Sequence, residues 1–172
     1  VTNLLGVLLA KPASARFGKK KTFIGAMAIA SIFSAIFYWV NPNSVSIIFG
    51  LNIIIGLSAG IVLPLIWSMY ADIADYSEWK TGRRATGLVF SSSSMSQKMG
   101  WTLGGAVTGW LLAAYGFEAN AEQTQESLKG IRMMISIYPA IGALLSSLFL
   151  LLYKLNDNFM ESITRDLESR RG

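Results

Sequence analysis

Lys98 is the single charged residue between Ala85 and Phe117. If that stretch is helical, Lys98 lies about 20 Å from its start, at 1.5 Å per residue. This is too deep for its stem to reach water easily from the near end. A charge held there is costly unless it is paired or solvated, so it must face a protein interior or a wet path. Ser94, Gln97 and Lys98 stand at i, i+3 and i+4 and therefore share a helical face. The chemistry open to such a face is binding: a polar cavity for an ion or a solute. The plainer reading of Ser94 is a hydroxyl bonded to its own backbone. No acidic residue in the apolar stretches pairs with Lys98. Its counterpart is then a segment outside this chain or another subunit, or the amine is neutral.

A second group is Asp72, Asp75, Tyr76 and Trp79, which share one face of a helical turn, with Arg83 and Arg84 close behind. Such a network closes one side of a membrane protein in one state and breaks in another. The bland alternative is a set of interfacial charges with no switching role. Paired aspartates suggest a metal or an acid–base site, but no third ligand or His accompanies them and they lie at the membrane edge, which argues against an enzyme site. With no Cys and no His in the chain, thiolate chemistry, disulfides and the usual neutral-pH base are absent. No catalytic residue, metal site or cofactor is expected.

The elements that must position these groups read as membrane helices. Of 172 residues, 52% are hydrophobic and 15% charged, against roughly a quarter charged in soluble domains. The uncharged runs Thr22–Val40, Val45–Ala71 and Met133–Tyr153 each approach or exceed the roughly 18 residues that span a bilayer. An all-α polytopic membrane protein follows, with one partial span (1–10) and four complete ones (about 22–40, 45–71, 85–117 and 130–153). The tail is 154–172. Val1–Ala10 is too short to cross alone and reads as the end of a longer helix or as a short interfacial one. Lys11–Lys21 reads as a basic loop, kept from continuing as one straight helix by Pro12 and Gly18, with Thr22 capping the next helix. Asn41-Pro42-Asn43-Ser44 is a polar turn, and Tyr38 and Trp39 sit as interfacial aromatics.

Gly56 and Gly60 are spaced for close helix contact, as are Gly100, Gly104, Gly105 and Gly109. Pro64 is expected to kink its helix. Phe159, Met160, Ile163 and Leu167 give the tail an amphipathic pattern, suited to the membrane surface or to fraying.

The net charge of +5 does not point to nucleic acid, because the basic residues flank apolar runs. Lys11–Lys21, Lys80–Arg84 and the tail hold twelve of the fifteen Lys and Arg residues. All twelve fall on one side if four spans lie between, and that side is expected to be cytoplasmic.

The segment Ala71-Asp-Ile-Ala-Asp-Tyr-Ser-Glu-Trp-Lys-Thr-Gly-Arg83, followed by Gln97-Lys98-Met-Gly100 and Gly104-Gly105, resembles the glycoside–pentoside–hexuronide:cation symporter family of the major facilitator superfamily. The likeness covers essentially the whole chain. It implies the carboxy-terminal part of a transporter built from two six-helix halves, with a missing amino-terminal half as partner. It implies symport of a sugar or glycoside with Na+, H+ or Li+ in a bacterial inner membrane. Lys98 matches the family's coupling lysine and Ser94 a nearby hydroxyl position. Asp72, Asp75 and Arg84 match its cytoplasmic closure, to which Arg83 is adjacent. Lys11–Lys21 resembles a loop signature of the superfamily, but Lys11 replaces its Gly and Ala15 its Asp. The family's main sugar and cation carboxylates lie outside this chain, so the chain alone is expected not to transport. The rival expectations are an inert truncated product, a packing partner for a separately made half, and a channel.

Overall fold

A computed structural model of the protein describes residues 1–171. Gly172, the last residue of the expected tail, and the side chain of Arg171, counted among its basic groups, lie outside the described residues. The chain is an all-α, polytopic membrane protein. Its helices are α1 (Thr2–Phe17), α2 (Lys19–Ile36), α3 (Val45–Thr81), α4 (Thr86–Ala114), α5 (Gln125–Ile135), α6 (Ile137–Leu151) and α7 (Asp157–Arg171). Among the described residues three stretches are long and apolar enough to cross a membrane: Lys19–Trp39, Val45–Thr81 and Gln125–Leu151. The expected count of spans is larger. The 16 residues of α1 are too few. The 29 residues of α4 suffice in length, but its serine run, Gln97 and Lys98 make it more polar.

The main core lies between α2 and α3, where Phe23 and Ala26 meet Val62, Leu65 and Met69, with Leu150 and Tyr153 packed alongside. α1 lies against α3 through glycines. A Cβ on Gly60 would strike the Asn3 carbonyl and Gly6, and one on Gly6 would strike the Leu57 carbonyl. The contact expected at Gly56 and Gly60 is therefore made.

Several boundaries differ from the sequence expectations. The segment read as a basic loop, 11–21, is mostly helix: α1 continues through Pro12 to Phe17. The break is Gly18 alone, at φ +84°, ψ 154°, a backbone that side chains resist. Thr22 does not cap α2; Lys19 already begins that helix, and the Thr22 hydroxyl donates to the Ala13 carbonyl at 3.1 Å. The segment 72–84 is likewise helical as far as Thr81, ended by left-handed Gly82. With 37 residues, α3 is about 55 Å long, well beyond the ~30 Å hydrocarbon layer. Its last turns stay helical because water and polar neighbours tolerate charge there.

The last span also starts earlier than residue 130 and is interrupted at Ser136. Pro139 explains the position of the break: it has no N–H for the Ile135 carbonyl, and its ring would clash with that carbonyl in a continuous helix. α2 bonds across the interruption. The Ser34 hydroxyl donates to the Ser136 carbonyl at 2.9 Å and the Ser31 hydroxyl to the Ala140 carbonyl at 2.7 Å. The turn at 41–44 is as expected, with Ser44 N–H donating to the Asn41 carbonyl at 2.9 Å.

Candidate functional site

Lys98, Ser94 and Gln97 all lie on α4, whose side chains are largely exposed. Lys98 and Ser94 line a cavity of about 610 Å³ together with Ser91, Met95 and Thr102. Every residue of that lining belongs to α4, so the groove has one wall. Lys98 forms no ion pair among the described residues.

Ser94 also borders a second cavity, of about 320 Å³, which it shares with Gln97. Here α3 supplies the other side through Leu63, Trp67 and Tyr70. Trp67 stacks on Phe90 with ring centres 5.8 Å apart, and Tyr70 meets Trp67 edge-on at 5.9 Å. Aromatic faces beside amide and hydroxyl groups suit a ligand that is apolar on one side and hydroxylated on the other. The sequence reading did not single out Trp67; its spacing from Tyr70, three residues along one helix, was the available signal.

Serines 92 and 93 bond their own helix: the Ser93 hydroxyl donates to the Val89 carbonyl at 2.7 Å, and that of Ser92 to the Leu88 carbonyl. The Ser91 hydroxyl does the same, to the Leu88 carbonyl at 3.2 Å, whereas the own-backbone bond that is the plainer reading of Ser94 is not made by Ser94 itself among the described residues. Close helix packing at Gly100, Gly104, Gly105 and Gly109 is not made among the described residues. Nothing lies within 4 Å of a Cβ added at any of them.

The charged group at the far end of α3 is paired, Asp75 with Arg84 of the expected cluster and Asp72 with Lys19, which lies outside it. Lys19 Nζ reaches both oxygens of Asp72 at 2.7 Å. Asp75 pairs with Arg84 at 2.8 Å, and Arg84 Nε also approaches Glu78 at 3.7 Å. Arg83 forms no ion pair among the described residues; its carbonyl accepts from the Ser77 and Thr81 hydroxyls, each at 3.4 Å.

α7 completes the cluster. Its Asp157 accepts from the Lys19 backbone N–H at 3.2 Å, and its Asp166 from Trp79 Nε1 at 2.7 Å. Met160, Ile163 and Leu167 pack on Tyr76, Trp79 and Leu155. The tail's apolar face is thus seated on α3, where the sequence reading expected a membrane surface or fraying. Among the described residues no group of three or more His, Cys, Asp or Glu is placed to hold a metal.

The sequence matches the family of MFS/sugar transport proteins over residues 1–157. It is 38% identical to the isoprimeverose transporter of Lactiplantibacillus pentosus over 98% of this chain and 35% of that protein. It is 30% identical to the glucuronide carrier protein homolog of Escherichia coli over 99% of this chain and 38% of the relative. It is 32% identical to the uncharacterized symporter YjmB of Bacillus subtilis, over 98% and 37%. The chain thus spans little more than a third of the length of these relatives, which are transporters and not enzymes. Matched over nearly its whole length, the chain belongs to the MFS/sugar transport protein family.

Proposed function

We propose that this chain is the carboxy-terminal portion of a secondary active transporter that couples movement of a sugar or glycoside to Na+ or H+ by alternating access. Lys98, with Ser94 and Gln97, tunes cation binding at the central path. Asp72, Asp75, Arg83 and Arg84 belong to the gate on the cytoplasmic side of a bacterial inner membrane, together with segments 11–21 and 72–84 and the tail. Gly100, Gly104, Gly105 and Gly109 pack against helices of the amino-terminal half.

The observation that carries the reading is the groove around Lys98: a cation with no ion pair among the described residues, on a helix whose serine-lined face has one wall. A charge that deep is retained for binding or coupling, and its counter-charge is expected from the facing half. The names of the relatives support the substrate class: one is an isoprimeverose transporter and another a glucuronide carrier homolog. The gathering of Lys19, Lys20, Arg84 and α7 at one end of the bundle supports the orientation.

The test is flux in proteoliposomes. The complete polypeptide should accumulate a labelled sugar when a Na+ or proton gradient is imposed and lose that drive when the gradient is collapsed. Ion current independent of sugar would favour a channel instead. The one-walled groove also favours a narrower reading of the chain by itself, as a packing partner for a separately made amino-terminal half. Co-expression of the two halves should then restore uptake that neither shows alone. Failure of rescue, with both halves present in the membrane, would leave an inert fragment.

A further inference from the structure

The corner where α1 turns into α2 carries two adjoining cavities of opposite character. One, of about 490 Å³, is basic, with Arg16, Lys20 and Lys21 in its wall. The other, of about 350 Å³, is an apolar groove running along α2 past Gly25 and Ile29 to Ile61 of α3. Phe17 and Lys21 line both.

The basic cavity also contains Asp157 and Glu161, but these are engaged elsewhere. Asp157 accepts from the Lys19 N–H, and Glu161 lies 3.5 Å from Arg165. Lys20 Nζ is turned to the Leu151 and Tyr153 carbonyls, at 2.9 and 2.5 Å. Arg16 and Lys21 form no ion pair among the described residues. Two cations without ion-pair partners among the described residues therefore border a cavity whose lining holds three cations to two carboxylates and which adjoins an apolar groove at the end of a membrane helix. Phe17, 60% exposed, stands at the junction.

We propose that this corner binds an anionic phospholipid, with the phosphodiester against Arg16 and Lys21 and an acyl chain along Gly25 and Ile29. The pairing of features selects that ligand. Free phosphate would satisfy the cations and leave the groove empty. A choline headgroup would bring a fixed positive charge to a wall that is already positive. The inference rests on the chain lying in a membrane and not on what it transports.

Native mass spectrometry of the chain released from mixed micelles of phosphatidylglycerol and phosphatidylcholine tests the site. Phosphatidylglycerol should be retained preferentially, by about fivefold or more for each engaged cation. Arg16→Gln/Lys21→Gln should remove the preference. Lys129→Gln/Arg132→Gln, a control on α5 outside both cavities with the same loss of charge, should keep it. Gly25→Leu changes no charge and meets nothing within 4 Å at its Cβ, so it should fill the groove and lower lipid retention while circular dichroism stays unchanged. Three results would overturn the proposal: equal retention of the two lipids by the unmodified chain, unchanged preference in the double variant, or displacement of the lipid by millimolar inorganic phosphate with no effect of Gly25→Leu.

Discussion

Lys19 Nζ sits 2.7 Å from both carboxylate oxygens of Asp72, joining the first turn of α2 to the last third of α3 across 53 residues of sequence. The two side chains are unequally covered, Asp72 at 13% exposure and Lys19 at 30%. Removing Lys19 strands a nearly buried carboxylate, whereas removing the charge of Asp72 leaves an ammonium that water can reach. Lys19→Gln should therefore destabilise the chain by about 1–3 kcal/mol and Asp72→Asn by less. Thermal unfolding followed by circular dichroism in detergent measures the difference. Equal losses, or a larger loss for Asp72→Asn, would contradict this account of the pair.

α7 is held by a small apolar seat and a few polar ties. Ile163, 1% exposed, is its centre, so Ile163→Ala should cost about 2–4 kcal/mol of local docking. Trp79→Phe keeps a ring against Phe159, 5.9 Å away, but loses the bond to Asp166, and should cost about 1 kcal/mol. Trypsin cleavage at Arg165 and Arg170 reports undocking. The expected order of cleavage rates is Ile163→Ala above Trp79→Phe above the unmodified chain. A rate unchanged in Ile163→Ala would mean that α7 is not seated on α3.

The glycines divide into two groups with opposite expectations. Gly60→Ala places a methyl against Asn3 and Gly6 and must push α1 off α3, so it should lower the thermal midpoint of this chain. Gly104→Ala meets nothing within 4 Å and should leave that midpoint unchanged or raise it slightly, since Ala favours helix over Gly. If α4 faces the amino-terminal half, Gly104→Ala should weaken the complete polypeptide only. The same effect in both contexts would contradict that placement.

The sequence carried the membrane class, the turn at Asn41–Ser44 and the Gly56/Gly60 contact. Each depends on local composition or on spacing within one helix, which a linear reading can measure. It did not carry the ends of the helices. Charges at 11–17 and 72–81 look like loops by composition, yet nothing in Lys, Asp or Glu breaks a helix once it emerges from lipid; of the two expected breakers Pro12 and Gly18 only Gly18 acts, and the other stop is Gly82. Pro139 was visible, but the displacement of the break to Ser136 follows from its clash with a carbonyl four residues back. The pairs Lys19–Asp72 and Trp79–Asp166 were out of reach because they join segments 53 and 87 residues apart. Tyr76 and Trp79, three apart near one helix end, and Met160, Ile163 and Leu167 on another helix are complementary faces. Matching them was the signal that would have found the docked tail.

Whether Lys98 couples a cation to solute movement is decided by Lys98→Ala in the complete polypeptide. The measurement is labelled-sugar accumulation in proteoliposomes with and without an imposed Na+ or proton gradient. If Lys98 couples the two, gradient-driven accumulation should fall at least about tenfold, a loss of roughly 1.4 kcal/mol of coupling, while the protein retains its thermal midpoint. Accumulation that still responds fully to the gradient in Lys98→Ala would contradict the assignment of the groove on α4.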